Sequence, residues 1–368
     1  MGASMNIRAQ IHTQNILHNY DVIVRKLGKD KIIAPVVKAN AYGLGAVEIV
    51  KLLEGKKPLL YYVATLDEAL ELRPYSKADL VVFGGLSAGQ EDYFIAHNII
   101  PALKSEEDMR LWHEAAKRLG RPLPCHIHLD TAMNRTGIRA RGDSDSTFYT
   151  RGLDVRCILS HFVSSEETDT PLNQEQIDHF LSRAAQYELA YDCAIVKSMA
   201  NSSAIFNFPE SHFDLVRPGG ALWGVEMQAG QGDDLKPALQ VDVKVLQVSD
   251  IKTGQSVGYN ELYRAERPQR IATLAIGYAD GLHWPASNQA SFYWNGQPCK
   301  IAGSVSMDLT TVILPQDLSD DDMPRAGEYM ELIGDNQRIE TLAQACGARA
   351  YEMQISFGNA PRIVAKYL

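Results

Sequence analysis

The sequence predicts an α/β fold class: an N-terminal (β/α)8 TIM barrel followed by a mostly antiparallel C-terminal β domain. Between about residues 30 and 225, eight short apolar runs alternate with longer amphipathic stretches, which is the pattern of parallel βαβ units. Beyond residues 230–236 the texture changes to strict alternation of apolar and polar residues, as half-buried antiparallel strands require. We assign residues 1–10 to an N-terminal strand that packs with the C-terminal domain, residues 11–232 to the barrel and residues 233–368 to the C-terminal β domain.

Each of the eight apolar runs is assigned to one barrel strand. The runs are IIAPVVK (32–38), YYVAT (61–65), LVVFG (80–84), IIPAL (99–103), CHIHLD (125–130), VRCILSHF (155–162), IVKSMA (195–200) and DLVRP (214–218). Between them, residues 105–120 and 173–190 repeat apolar side chains at three- and four-residue spacing, as surface helices do. Eight such units fit a closed barrel, and an open doubly wound sheet is the alternative.

The C-terminal domain begins with LQVDVKVLQV (239–248), in which apolar and polar residues alternate. The further strand-like runs are RIATLAIGY (270–278), ASFYWNGQPCKIAG (290–303) and LTTVIL (309–314). Asn295 and Gly296 predict a hairpin turn, because both central positions of that turn need a positive φ.

Composition excludes several classes of protein. Of the 368 residues, 45% are hydrophobic and 22% charged, which is typical of a globular chain and excludes disorder as the main state. The 36 basic and 45 acidic residues give a net charge of −9, so we expect no nucleic-acid-binding surface. Because no apolar run approaches about 18 residues and the first residues lack an apolar signal core, we expect a cytoplasmic protein without a membrane segment.

Cysteine chemistry is not expected to contribute. The five cysteines are Cys125, Cys157, Cys193, Cys299 and Cys346. An odd number without a CxxC pair argues against a disulfide framework or a zinc ribbon. We therefore expect packed or free thiols and no metal site.

Basic and amide side chains gather where the predicted barrel strands end. They are Lys38, Arg135, His161, Asn201 with Ser202, and Arg217. Barrel chemistry sits at the carboxyl ends of the strands, and the chain is acidic overall. The concentration therefore predicts a site for an anionic ligand on that face.

Three of these positions have both a functional and a structural interpretation. Burial of Lys38 at a strand end would lower its pKa and favour the neutral amine that Schiff-base formation needs, although a lysine can also reach solvent from that position. Arg217 lies in ArgProGlyGly, either an anion cradle or a tight turn with a surface arginine. His161 is either a site residue or a satisfied core histidine. After Lys38, Gly43 and Gly45 allow backbone N–H groups to approach a phosphate, or simply form a loop-to-helix turn.

These motifs together resemble the alanine racemase family of pyridoxal-phosphate enzymes. The matching segments are VVKANAYGLG (36–45), HLDTAMNRTGI (128–138), SHF (160–162), MANSSA (199–204), RPGGALWG (217–224), VGYNELY (257–263), IGYADGL (276–282) and SVSMDLTTV (304–312). The match runs over nearly the whole chain, in the order and spacing of the family. The resemblance implies a barrel that binds pyridoxal 5'-phosphate and a second, C-terminal β domain.

The resemblance also implies roles for the cofactor-binding residues. Lys38 would bind the aldehyde of the cofactor covalently and serve as one of two catalytic bases. Tyr42 and Ser202, with the backbone at Gly219 and Gly220, would hold the phosphate. The remaining assignments are Asn201 beside the phosphate, Arg217 facing the pyridine nitrogen, and His161 in the hydrogen-bond network of the opposing base.

The substrate side of the site is implied to need a second subunit. Tyr259 of the partner would be the opposing base, and Met307 of the partner would receive the substrate carboxylate through its backbone amide, with Asp308 next to it. Arg135 would lie near that carboxylate and the phenolic oxygen of the cofactor, and Tyr278 would narrow the access channel. The implied protein is a homodimer with shared sites that interconverts L- and D-alanine and supplies D-alanine for peptidoglycan.

The implied chemistry explains these residue types. Two bases must flank Cα, since a proton leaves one face and another arrives on the opposite face. A tyrosine can act as base if nearby positive charge lowers its pKa, and His161 and Arg217 are the expected sources. Arginine keeps its proton, so Arg217 should leave the pyridine nitrogen unprotonated and limit side reactions.

The chain departs from the family at two positions. His128 stands where many relatives have a lysine whose carbamate braces Arg135, so another anion or water must support Arg135. Phe357 is expected at the position of a tyrosine that reaches the phosphate, so that contact would be lost or supplied from elsewhere.

Three other functions remain open on the sequence. A racemase of broader or different amino-acid preference is the nearest, because side-chain specificity depends on channel width. A decarboxylase of the same architecture usually needs an acidic residue at the pyridine nitrogen, where this chain has Arg217. A cofactor-binding barrel without catalysis would not need the second domain that carries Tyr259 and Met307.

Overall fold

The computed structural model describes residues 6–28, 30–139, 150–226 and 234–368. The strands are β1 (Ile7–Ile11), β2 (Ile32–Ile33), β3 (Leu60–Val63), β4 (Asp79–Val82), β5 (Ile99–Leu103), β6 (Pro124–His128), β7 (Asp154–Leu159), β8 (Val196–Ser198), β9 (Leu215–Val216), β10 (Leu239–Ile251), β11 (Ser256–Val257), β12 (Tyr263–Arg264), β13 (Gln269–Leu274), β14 (Ser291–Trp294), β15 (Gln297–Lys300), β16 (Thr310–Ile313), β17 (Tyr329–Ile333) and β18 (Val364–Tyr367). The helices are α1 (Thr13–Leu27), α2 (Lys38–Tyr42), α3 (Ala46–Leu53), α4 (Leu66–Leu72), α5 (Glu91–Ala96), α6 (Glu106–Leu119), α7 (Leu172–Tyr191), α8 (Ser202–Asn207), α9 (Ile339–Ala345) and α10 (Ala350–Gly358).

The first eight-stranded sheet is a barrel. Its order is β2-β9-β8-β7-β6-β5-β4-β3, with parallel pairing throughout. A parallel bridge between Val36 and Tyr62 joins the two outer strands, and Val37 N donates to Tyr62 O at 2.9 Å. This contact closes the ring, so the predicted barrel is confirmed and the open doubly wound sheet is wrong.

The interior of the barrel is packed with side chains. The residues that fill it are Ala34, Val36, Leu60, Tyr62, Val81, Ile100, Ala102, Cys157, Leu159 and Leu215. They alternate with residues that face the surrounding helices, because successive strand residues point to opposite faces. Both predicted helices, 105–120 and 173–190, are present as α6 and α7.

The second eight-stranded sheet belongs to the C-terminal domain. Its main path is β15-β14-β17-β10-β1-β18, and β13 pairs with β10 and β16. β1 is antiparallel to β10 and parallel to β18, so the N-terminal strand lies within this sheet. Asn295 and Gly296 have φ values of 48° and 78° and join β14 to β15, which confirms the predicted hairpin. The boundary predicted between residues 232 and 233 lies outside the described residues.

Two helices of the C-terminal domain, α9 and α10, are not predicted by the strand-like runs. Helix α10 lies against the turn that follows Lys38, where Gln354 Nε2 donates to Tyr42 O at 3.0 Å. This contact attaches the C-terminal domain to the carboxyl-end face of the barrel. Within the described residues, no helix has both the length and the apolar character needed to span a membrane.

Gly43 and Gly45 lie where the turn after Lys38 contacts the C-terminal domain. Gly43 N donates to Ala39 O and Gly45 N to Asn40 O, both at 2.9 Å, so neither N–H is available to a phosphate. The interpretation of these glycines as phosphate-binding is therefore wrong. Gly43 has a φ of +86°, and a Cβ there would lie 2.8 Å from Gln354 O. The close approach of α10 requires glycine at this position.

Gly43→Ala will lower the free energy of unfolding by about 2 to 5 kcal/mol, because it adds a left-handed alanine and a backbone clash. Gly89→Ala is the matched control, since Gly89 has the same φ of +86° but no neighbouring atom within 4 Å of the position that a Cβ would take. Thermal unfolding of both variants measures the difference. Equal losses in the two would contradict a packing role for Gly43.

Candidate active site

A cavity of about 350 Å³ opens where the barrel strands end, beneath helix α10. Eight predicted site residues line it: Lys38, Tyr42, His161, Asn201, Ser202, Arg217, Gly219 and Gly220. Tyr351 and Ile355 of α10 also line it, with Val36, Phe83, Glu166 and Ser203. Four predicted residues, Arg135, Tyr259, Tyr278 and Met307, are not part of this lining.

Lys38 begins a left-handed helical turn. Ala39, Asn40, Ala41 and Tyr42 have φ values of 51° to 56°, although none is glycine, and such a conformation costs about 1–2 kcal/mol per residue. Side chains hold the turn in place: Glu68 Oε1 accepts from Ala39 N at 2.7 Å, and Asn40 Oδ1 accepts from Ala46 N at 2.8 Å. Strain of this kind persists only where the surroundings over-determine it, and it is typical of functional sites.

Electrostatics favour the neutral amine at Lys38. Burial lowers the pKa of Lys38, and the cations Arg135 and Arg217 lower it further, while the carboxylate of Glu68 acts in the opposite direction. Phe83 lies beside it, with its ring centroid 5.9 Å from Nζ. A neutral amine at this position is a nucleophile and a proton acceptor.

Arg217 is fixed at one end of the cavity. It is only 3% exposed, and its two terminal nitrogens donate to Ser198 Oγ, Ser160 O and Met199 O. Its Nε makes no hydrogen bond with a described residue and is the donor left for a ligand. The guanidinium lies near Tyr62, with Cζ 6.0 Å from the ring centroid. Arg217 therefore presents a fixed positive charge to the cavity.

Hydroxyls and glycines form another part of the cavity lining. Ser202 Oγ accepts from Gly219 N at 3.0 Å and Ala221 N at 3.1 Å, so its own proton stays available to a ligand. Gly220 N makes no hydrogen bond with a described residue. Burial raises the pKa of Tyr42 to about 12, so this hydroxyl keeps its proton and can donate.

Tyr351 is a lining residue that the sequence motifs do not indicate. Its ring lies 5.4 Å from that of Tyr42, and a Cβ on Gly220 would collide with it. Phe357 instead is buried in the apolar core. Of the two outcomes expected for the tyrosine contact at position 357, loss or supply from elsewhere, the hydroxyl of Tyr351 in the cavity wall fits the second. Tyr351 and Ile355 are four residues apart and therefore lie on the same face of α10. A helix predicted over α10 would have indicated that the two residues share a face.

The arrangement fits pyridoxal 5'-phosphate. The cofactor needs an amine for its aldehyde, a partner for its ring nitrogen and donors for its phosphate. Lys38, the unused Nε of Arg217, and the hydroxyls of Tyr42 and Ser202 with the N–H of Gly220 supply these groups within one cavity. A Cβ on Gly219 or Gly220 would collide with Tyr42 or Tyr351, so glycine at these positions lets the two tyrosines approach the backbone.

Comparison with known proteins decides the family. Residues 11–227 match the family model described as alanine racemase, N-terminal domain, and residues 238–365 match alanine racemase, C-terminal domain. The chain belongs to the alanine racemase family. It is 37% identical to the alanine racemase of Acidiphilium cryptum over 91% of this chain and 92% of the relative. It is 34% identical to that of Brucella abortus over 93% of this chain and 89% of the relative.

Solved alanine racemase structures have the same fold. The structure from Bartonella henselae, with covalently bound pyridoxal phosphate, superposes with a TM-score of 0.90 at 31% identity and covers 99% of both chains. The structure from a D-cycloserine-producing Streptomyces lavendulae also gives 0.90, at 27% identity, covering 100% of this chain and 98% of that one.

His161 and His128 are neutral members of this alanine racemase site. Burial and the nearby cations Arg217, Lys38 and Arg135 hold the pKa of His161 well below its usual range. Burial, Arg217 and Arg135 likewise lower the pKa of His128 to about 4. Neutral His161 therefore does not supply the positive charge expected to lower the pKa of the tyrosine base, and Arg217 and the other cations are the remaining sources.

Arg135 stands outside the cavity, on an exposed loop. It makes no ion pair or hydrogen bond with a described residue, and it lines a neighbouring cavity of about 580 Å³. The loop before it is organised by Asp130, whose Oδ1 accepts from Ala132 N at 3.2 Å and Asn134 N at 3.0 Å. No anion among the described residues braces Arg135, and His128 Nδ1 has no hydrogen-bond partner among them.

The remaining predicted residues lie on the C-terminal domain and face outward. Tyr259 is 70% exposed and Met307 54% exposed. With Leu262, Tyr278, Trp284 and Leu309 they make up much of the exposed large apolar side chains of this domain. An exposed apolar surface of this kind is typical of a protein–protein contact.

Glu68→Gln will weaken the turn and lower the pKa of Lys38. Glu68 Oε2 accepts from Ala64 N at 2.7 Å while Oε1 binds Ala39 N, and an amide can serve only one of them, at a cost of about 1–3 kcal/mol. Removing the carboxylate also removes the charge that raises the pKa of Lys38. Covalent reaction of the apoprotein with pyridoxal phosphate will therefore reach its half-maximal rate at lower pH.

Exposed Glu71 on the same helix supplies the control variant, Glu71→Gln. It should leave both the midpoint pH and the thermal unfolding temperature unchanged. An unchanged or higher midpoint in Glu68→Gln would remove Glu68 from this role.

Proposed function

We propose that this chain is a pyridoxal-phosphate-dependent racemase that interconverts L- and D-alanine with two bases, Lys38 and Tyr259 of the partner subunit. The observation that carries the proposal is the cavity itself. It combines a lysine of lowered pKa, a buried arginine with a free Nε and the hydroxyls of Tyr42 and Ser202. The amino-acid substrate and the cofactor follow from membership of the alanine racemase family.

Each cofactor contact has a residue of this chain. Tyr42, Ser202, Tyr351 and the N–H of Gly220 hold the phosphate, and Asn201 orders that end through bonds to Ala204 N at 2.9 Å and to Ser165. Lys38 holds the aldehyde end. When bound, the cofactor withdraws electrons from the substrate and makes the proton on Cα acidic.

Lys38 moves the proton on one face of Cα. Once its Nζ is free of the cofactor, Lys38 would act as a proton acceptor, and burial with the nearby arginines lowers its pKa in the direction that favours this role. Arg217 would donate through Nε to the ring nitrogen of the bound cofactor, and because arginine keeps its own proton it would leave that nitrogen uncharged. With an uncharged ring nitrogen, the bound cofactor would withdraw electrons less strongly, which would limit side reactions.

Proton transfer on the other face of Cα needs a second base, which is proposed to come from outside the cavity lining of one chain. Tyr259 is exposed on the C-terminal domain and is not part of the lining of its own cavity. In a homodimer with shared sites, Tyr259 of the partner subunit supplies the second base. Met307 of the partner subunit binds the substrate carboxylate through its backbone N–H, with Arg135 nearby, and Tyr278 of the partner subunit narrows the access channel. We further propose a cytoplasmic enzyme that supplies D-alanine for peptidoglycan.

The test is chiral analysis of L-alanine and D-alanine after incubation with the purified protein and pyridoxal phosphate. The proposal expects each enantiomer to yield the other. A panel of amino acids measures whether the preference is narrow or broad, and release of carbon dioxide would identify a decarboxylase instead. Light scattering under assay conditions should give a dimer, and an active monomer would overturn the shared site.

A further inference from the structure

Arg362 connects two loops of the C-terminal domain. Its Nε lies 2.7 Å from Asp280 Oδ1, and its terminal nitrogen lies 2.6 Å from Asp308 Oδ1. The Asp280 side chain is 3% exposed and its second oxygen accepts from Gly277 N at 3.0 Å. A planar guanidinium is suited to bind two carboxylates at once in a fixed geometry, which a lysine cannot do.

The two loops behave as one unit. Tyr278 N donates to Ser306 O at 3.0 Å, and Ala279 N donates to Met307 O at 3.1 Å. Asp280 lies two residues after Tyr278, and Asp308 directly follows Met307. Arg362 therefore holds together the loops that carry Tyr278 and Met307, the two residues proposed to reach the partner subunit's site.

We propose that Arg362 is a positioning residue for substrate binding in the partner subunit's site. It acts through Asp280 and Asp308 on the loops of Tyr278 and Met307 and contacts no substrate itself. This inference rests on the proposed function, since only a shared racemase site gives these loops a substrate. The substrate carboxylate is bound before and during proton transfer, so a displaced loop should mainly raise KM.

A second route from Arg362 exists within its own chain. Arg362 follows helix α10, whose residues Tyr351 and Ile355 line the chain's own cavity. A change at Arg362 transmitted through α10 would affect the cavity of the same subunit. The experiment must therefore separate an effect on the partner's site from an effect on its own.

The first measurement compares the homodimeric variants. Arg362→Gln will lower kcat/KM for alanine by about ten- to a hundredfold, mostly through KM, because a small displacement of a binding group is enough. Asp308→Asn, at an exposed position, should raise KM in the same way without leaving a buried charge unpaired. The visible absorbance of bound cofactor should stay unchanged in both. Arg362→Lys will recover only part of the affinity.

Arg270→Gln is the matched control. Arg270 also pairs with two carboxylates of the same domain, Asp250 at 3.7 Å and Asp320 at 2.8 Å, and is similarly exposed. It lies on β13, away from the loops of Tyr278 and Met307. Its removal should leave KM unchanged.

The deciding experiment uses hybrid dimers of one Lys38→Ala subunit and one Arg362→Gln subunit, purified through two different tags. The only competent site combines the barrel of the Arg362→Gln subunit with the loops of the Lys38→Ala subunit. We expect it to have the wild-type KM and half the wild-type kcat. A raised KM in the hybrid, or a wild-type KM in the Arg362→Gln homodimer, overturns the proposal. Activity in the Lys38→Ala homodimer would instead overturn the proposed function.

Discussion

Lys38→Ala will abolish racemisation, with a loss of at least about 10³-fold, because in the proposed mechanism Lys38 is both the covalent anchor of the cofactor and one of two bases. Among the described residues, no other lysine lines the cavity. The backbone next to this amine is strained, since the four residues that follow Lys38 have left-handed conformations. A side chain that only packed or reached solvent would not need that arrangement.

Two measurements check this expectation. Reduction with borohydride followed by intact mass analysis should attach cofactor to the wild-type protein and not to Lys38→Ala. Lys104→Ala is a suitable control, because Lys104 also follows a barrel strand but pairs with Asp108 at 3.1 Å. Covalent attachment in Lys38→Ala, or its loss in Lys104→Ala, would contradict the assignment.

Tyr259→Phe will slow racemisation by about 10²- to 10⁴-fold, the usual contribution of a positioned acid or base. The change removes one oxygen from an exposed side chain, so folding and the visible cofactor band should be retained. The remaining base, Lys38, still serves one face of Cα. Proton exchange should therefore persist for one enantiomer of alanine and be lost for the other.

Tyr263→Phe provides the comparison for Tyr259→Phe. Tyr263 lies four residues along, but its hydroxyl donates to Gln269 at 2.6 Å within the chain. We expect nearly full activity in that variant. Full activity in Tyr259→Phe, or equal loss of exchange from both enantiomers, would show that Tyr259 is not the second base.

The barrel is predictable because its eight strands are short buried runs separated by amphipathic helices. Strand ends are also easy to locate in sequence, which is why the sequence alone indicates Lys38, His161 and Arg217, and all three line the cavity. The resemblance then adds a cavity residue that strand ends alone do not indicate, Tyr42. In the folded chain, burial and hydrogen bonds hold these residues in the cavity lining.

Other features depend on tertiary contacts that no local pattern carries. Ala39 and Ala41 have no intrinsic preference for a left-handed turn, and Glu68 stabilises it from another helix by accepting from Ala39 N. Helix α10 is short and carries a buried Gln354, so its apolar pattern is weak. No local pattern therefore indicates Tyr351, which the fold places in the cavity wall.

The central claim is that two bases work on opposite faces of Cα. Its most direct test is racemisation of L-alanine in deuterated buffer, with chiral separation and mass analysis at low conversion. The account predicts D-alanine that carries deuterium at Cα, since the proton removed by one base is replaced from solvent through the other. D-alanine that retains the original proton would indicate a single base, and the absence of D-alanine would contradict the racemase altogether.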